Sequence, residues 1–565
     1  MDTLFTNGSL FDGHTHHPGW SVVVRSGRII KAGPGPAPSP TRGANSAPSP
    51  RPRADRLSSL LDHFGLRAAQ TEVIDLAGGL LLPGFVDAHV HPVQGGLERA
   101  RCDLSPLSGR ESTLAAISAY AAAHPEVGWI LGGGWHQPDY PGGAPLAADL
   151  DAIVGDRPVF LANADHHGAW VNSRALELAG IDARTPDPAD GRIERDPDGN
   201  PTGTLHEGAM DLVGHHVPPT THDEQVAALL GAQAYLHSFG ITGWQDAIFG
   251  DYANLDDSTP AYVELARDGR LTARVNGALW WRRDLGAEQL PSLIDRREAL
   301  QFPRLRAGSV KIMQDGVAEN FTAGMLDPYY DGCGCRTANA GLSFVDPIAL
   351  RDHISALDSA GFQVHVHAIG DRAVREALDG FEAALASNGN NDLRHHIAHL
   401  QVIHPDDIAR FAKLGVAANM QALWAAHEPQ MDELTIPFLG PERTRWQYPF
   451  GDLAGSGARL VAGSDWPVSS PDPLAAVQVA VNRRHRDSEY EPFLPEQALD
   501  LATALAAYTS GSAWVNHADE TGRIAPGMLA DLAVLDRDPF AQPIEEIGEA
   551  RVVATYVEGD RVYGE

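Results

Sequence analysis

The 565-residue chain carries 25 histidines, and several stand where metal chemistry would need them. His89 and His91 close the run Pro83-Gly84-Phe85-Val86-Asp87-Ala88-His89-Val90-His91. Residues i and i+2 of a strand share a face, so both imidazoles can point at one metal ion. A buried, hydrogen-bonded pair is the other reading. Lys311 lies inside SVKIMQDG (309–316). An ammonium on an apolar strand is costly unless it is paired, for instance with Asp315, or converted to a carbamate that bridges two cations. His367 lies near the end of FQVHVHAIGD (362–371) with His365 two residues before it, and spacing does not choose between them. His399 follows His395 and His396 in HHIAHL, where the earlier two read as surface or core histidines. Asp465 comes after the small and apolar run of ARLVAGSDWP (458–467). Imidazoles and a carboxylate that leave one position open for water suit catalytic Zn²⁺.

Distant stretches must be brought together for these residues to meet. Eight apolar β runs alternate with helical segments: 81–91, 241–247, 271–281, 309–316, 362–371, 393–401, 415–421 and 458–467. That pattern predicts an α/β fold, a parallel (β/α)₈ TIM barrel over 81–520. The candidate ligands fall at the ends of runs 1, 4, 5, 6 and 8, the face where such barrels build active sites. The gap after the first run exceeds any crossover helix and predicts an inserted subdomain over about 105–222. Both ends are rich in short strands, 1–80 and 521–565, and are expected to form one composite β-sandwich. Asn7-Gly8 and Ser26-Gly27 mark hairpin turns. The Pro- and Ser-rich stretch 33–56 cannot bury a core and reads as a disordered insertion.

Composition narrows the partners. Forty-three basic against 74 acidic residues give a formal charge of −31, which disfavours nucleic acid and anionic membranes. Three cysteines, Cys102, Cys333 and Cys335, do not make a disulfide framework and fit a reducing cytoplasm. Cys333-Gly-Cys335 alone is a weak metal signal. No leader or membrane-spanning run is evident, and a homodimer is the default expectation.

The ordered set His89, His91, Lys311, His367, His399 and Asp465 resembles the amidohydrolase superfamily. HAIGDRAV (367–374), VKIMQDG (310–316), NADHHGAWVNSRAL (163–176), PTGTLHEG (201–208) and GSDWPV (463–468) resemble, more narrowly, the amidohydrolase 3 group of YtcJ-like proteins and N-substituted formamide deformylases. The resemblance covers nearly the whole chain apart from 33–56. It implies the barrel and sandwich, and one or two Zn²⁺ held by His89, His91, carboxylated Lys311, His367, His399 and Asp465. It also implies hydrolysis of a C–N bond in a small-molecule amide, with Asp465 and Lys311 as catalytic groups. Candidate substrate contacts are Trp135 and His136 in GGGWHQPDY, His167 in ADHHGAW, Asp315, and Gln421 in NMQALW. Packing is the alternative for the tryptophans, and a structural hydrogen bond for His167. Trp280, Trp281 and Trp424 suggest an aromatic-tolerant pocket. The same centre could cleave an ester, lactone or cyclic amide, and a regulatory protein that keeps the barrel is a further alternative.

Overall fold

The computed structural model describes residues 2–35, 53–252 and 255–564. Its centre is a run of eight parallel strands: β1 (Phe85–Val90), β2 (Ile241–Phe249), β3 (Arg274–Trp280), β4 (Leu305–Met313), β5 (Gln363–Ala368), β6 (His396–His399), β7 (Ala417–Met420) and β8 (Leu460–Ala462). Each pairs in parallel with its neighbour in chain order. Most of their residues are buried, which is why they read as near-continuous apolar runs rather than alternating ones. The sheet is a nearly closed barrel. Its two edges meet where Asp465 N donates to His89 O (2.7 Å) and His91 N donates to Trp466 O (2.8 Å). Asp87 clamps the seam by accepting from Ser464 N (3.0 Å) and Ser464 Oγ (2.6 Å). At Gly463 a Cβ would stand 2.6 Å from His89 N, so only glycine permits this approach.

Between β1 and β2 lies a second, six-stranded sheet. Its strands are Cys102–Asp103, Ile130–Trp135, Val159–Asn163, Gly168–Val171, Gly191–Arg195 and Pro201–Glu207. The sheet begins a few residues before the expected 105. It has apolar clusters of its own, one around Trp135, Tyr140 and Trp170, another around Val171, Leu205 and Val213. The chain returns to the barrel through helix His222–Ser238, whose start is fixed by a capping box between Thr221 and Glu224.

The two termini share a six-stranded sheet, in which Leu80–Pro83 runs parallel to Ser9–Phe11 and antiparallel to Leu532–Leu535. The first apolar run, 81–91, is therefore split at Gly84: its start belongs to this sheet and only Phe85–Val90 to the barrel. Ser26-Gly27 makes the expected hairpin, both residues at positive φ. Asn7-Gly8 does not. It carries the chain from Asp2–Thr6, in a separate four-stranded sheet, into Ser9–Phe11 of the shared one. Strand Arg28–Pro34 and helix Arg53–Phe64 take up the two ends of the insertion expected at 33–56. Its remainder, 36–52, lies outside the described residues. Among the described residues no helix is long and apolar enough to cross a membrane.

Candidate metal centre

The C-terminal ends of β1, β6 and β8 bring His89, His91, His399 and Asp465 together. Asp465 Oδ1 lies 3.0 Å from both His89 Nε2 and His91 Nε2. Its Oδ2 lies 3.8 Å from His399 Nδ1. One ligand atom from each of His89, His399 and Asp465 falls within a 4.8 Å cluster. Donors about 2.0–2.1 Å from a tetrahedral ion stand roughly 3.4 Å apart, and the observed separations straddle that value. Lys311 reaches the same place from β4, its Nζ 3.4 Å from His89 Nε2 and 3.5 Å from Nδ1. Burial holds its pKa down at about 7, against a smaller opposing pull from Asp465.

The layer beneath fixes the tautomers. Gln245 Nε2 donates to Gln363 Oε1 and Asn516 Oδ1 (3.0 Å each), so Gln245 Oε1 must accept. It accepts from His365 Nδ1 (2.7 Å) and His396 Nε2 (3.1 Å). His365 is buried, and burial with neighbouring histidines holds its pKa well below the ordinary value, so it is neutral. With its proton on Nδ1, its Nε2 accepts from His89 Nδ1 at 2.9 Å. His89 is also neutral, burial and Lys311 holding it at about 3. Its Nε2 therefore presents a lone pair to the Asp465 carboxylate. Two electron-rich atoms at 3.0 Å repel unless a cation lies between them. The buried Nδ1 atoms of His91 and His399 also have no hydrogen-bond partner, and such groups call for a ligand. His399 and Asp465 both adopt the strained left-handed backbone region, with φ of 79° and 59°. The donor set fits a divalent cation.

The other sequence candidates divide. His367 packs against His399, ring centroids 4.3 Å apart and planes tilted by 59°, and lines the cavity, but its Nε2 turns to Gly316 O at 3.4 Å. Spacing did not separate it from His365, because both point into the barrel, one turn of the pleat apart. His395 lies outside the barrel core on Asp358, and His396 in the layer beneath the site, on Gln245. Asp315 does not pair with Lys311 and lies behind the cavity lining, its Oδ1 3.6 Å from His367 Nε2: its carboxylate accepts from Gly324, Ile369 and Gly370 amides, and burial pushes it up to about 8. Trp135 is also misassigned as a substrate contact, since it packs between Tyr140 and Trp170 with Nε1 on Leu161 O. Gln421 is buried beside the site as a brace, its Oε1 accepting from His399 N at 2.6 Å. Trp281 packs on His353 and Trp280 on Tyr252, away from the cavity.

His167, His136 and Trp424 do line it, in a cavity of about 360 Å³ floored by His367, His399 and Asp465. His167 comes from the inserted sheet with a partner that sequence reading left without a role. Both carboxylate oxygens of Glu207 lie 3.0 Å from His167 Nδ1, and Thr322 Oγ1 donates to Glu207 Oε1 at 2.8 Å. Burial alone would depress the imidazole, but the Glu207 charge and hydrogen bond outweigh it and hold His167 at about 9. Glu207 stands in PTGTLHEG and Asp165 in NADHHGAW, so the motifs contained the signal, whereas Glu319 and Glu428 on the cavity wall sit in no motif.

The comparisons agree with this geometry. The putative amidohydrolase YtcJ of Bacillus subtilis is 32% identical over 501 residues, 87% of this chain and 91% of that protein. The N-substituted formamide deformylase of Arthrobacter pascens is 28% identical over 515 residues, 88% of this chain and 90% of that one. An uncharacterized metal-dependent hydrolase from Pyrococcus horikoshii superposes with a TM-score of 0.70 at 25% identity, covering 96% of this chain and 99% of its own. The amidohydrolase family model matches residues 72–563, and the chain belongs to that family.

Proposed function

We propose that the protein hydrolyses the C–N bond of a small-molecule amide, of the N-substituted formamide type, with one or two Zn²⁺ held by His89, His91, His399 and Asp465 and supported by His367 and Lys311. The observation that carries this reading is the lone pair of His89 Nε2 facing the Asp465 carboxylate beside two partnerless imidazole nitrogens. A divalent cation held there supplies Lewis acidity, acidifying water and polarising a carbonyl oxygen. Asp465 takes the proton as the water oxygen adds to the carbonyl carbon, and returns it to the nitrogen as the C–N bond breaks. His167, kept protonated by Glu207, adds a positive donor to the wall of the same cavity. A Lys311 amine with its pKa near 7 is unprotonated often enough to react with CO₂ and lose a proton, giving the carbamate that would bridge two ions.

The test is turnover by metal-stripped and Zn²⁺-loaded protein on N-formyl, N-acyl and cyclic amides alongside matched esters and lactones. Amide cleavage only when loaded is the expected result. Cleavage of esters or lactones alone would move the activity to another bond, and a protein that refuses Zn²⁺ and cleaves nothing would favour the regulatory alternative.

A further inference from the structure

Resting on that amide-hydrolase reading, we propose that the cavity selects substrates carrying a positive charge away from the scissile amide, such as mono-acylated small diamines, and rejects anionic ones. Asp165, Glu319 and Glu428 line the wall above the metal-binding floor, and among the described residues no lysine or arginine does. The positive charge on His167 is shared between Glu207, which lies 3.0 Å from its Nδ1, and Asp165. His485 Nε2 lies 3.8 Å from Glu428 Oε2, and burial lowers its pKa, which favours the neutral ring.

The three carboxyl groups feel one another. Burial and the charge of Glu319 push Glu428 up to about 7, and burial with the charge of Asp165 raises Glu319. Glu319 accepts one hydrogen bond, from Thr435 Oγ1 at 2.6 Å. Asp165 Oδ2 is buried with no partner. Grouping carboxyls in a recess whose nearest basic groups are imidazoles is unfavourable, and a cationic ligand lessens the penalty. Trp424 and Tyr448 add aromatic surface that an ammonium group prefers. Trp424 stacks on His399 with ring centroids 5.8 Å apart, so this wall adjoins the metal-binding floor. The overall charge of −31 also draws cations toward the protein.

The experiment compares three formamides of one frame, N-formylphenethylamine bearing at the para position an aminomethyl group, an ethyl group or a carboxylate. With Zn²⁺-loaded enzyme, kcat/KM is expected to be about tenfold higher for the ammonium than for the neutral compound, and about tenfold lower for the carboxylate. Glu428→Gln and Glu319→Gln should each shrink the ammonium-to-neutral ratio to about threefold or less. Equal or better turnover of the carboxylate, or an unchanged ratio in both variants, overturns the proposal. Thermal shift with benzyltrimethylammonium, which is not cleaved and cannot ligate a metal, reads the same property without turnover. It should raise Tm more than benzyl alcohol does, and less in Glu428→Gln than in wild type. If no formamide is cleaved but this ammonium shift appears, the amidase reading fails and charge selection stands. If formamides are cleaved with no charge order and no ammonium shift, the reverse holds.

Discussion

Two layers of polar side chains cross the interior of the barrel. In the lower one, Gln245, His365, His396, Gln363 and Asn419 exchange hydrogen bonds beneath the metal-binding floor. In the upper one, His89, His91, His399 and Asp465 crowd together, leave two ring nitrogens without partners and set a lone pair against a carboxylate. Both layers are buried and histidine-rich, so burial and residue type do not separate structure from chemistry here; hydrogen-bond satisfaction does. The lower layer also serves the upper, because its donors fix the tautomer of His89.

Substitutions in the two layers should therefore fail in different ways. The largest effect is expected from Asp465→Asn, which should lower kcat/KM by on the order of 10³-fold while the fold persists; near-normal turnover would move the base elsewhere. Gln245→Leu, in the lower layer, should cost about 2–4 kcal/mol in urea unfolding because it strips partners from two histidines and two amides. The corresponding upper substitution, His399→Ala in metal-free protein, should cost less than that, since Nδ1 has no hydrogen bond to lose. Equal losses would erase the distinction between the layers.

A smaller effect tests the bond between insertion and barrel mouth. The folded-state pKa of His167 lies above the ordinary 6.5, at about 9. Its stabilisation is therefore complete below about 6.5 and is lost as pH rises through about 9, an effect of about 3 kcal/mol. Glu207→Gln should flatten that slope between pH 7 and 9.5, and an unaltered slope would assign the titration to another group. At the small end, Cys333→Ser should change neither Tm nor metal content measurably, because Cys333 is exposed and unpaired.

The barrel was readable because each buried parallel strand is an apolar run, and the His-x-His pair because strand geometry puts both rings on one side. What sequence could not supply was depth. His365 and His367 share a face, and only the packed barrel shows that one braces His89 while the other meets the cavity. Trp135 and Gln421 look the same in sequence whether they face a substrate or a neighbouring side chain. Asp315 was ambiguous because backbone amides 9, 54 and 55 residues away take its oxygens. Asn7-Gly8 carries the composition of a hairpin turn, but the flanking strands find partners in different sheets.

The most direct measurement is Zn²⁺ binding to metal-stripped protein by titration calorimetry, with elemental analysis of the loaded product. Wild type should bind at least one equivalent, His89→Ala and His399→Ala should each weaken binding by 100-fold or more, on the order of the loss of a ligand, and His396→Gln, in the lower layer, should bind as wild type does. Stoichiometric binding that survives loss of both His89 and His399 would contradict a metal centre at the ends of β1, β6 and β8.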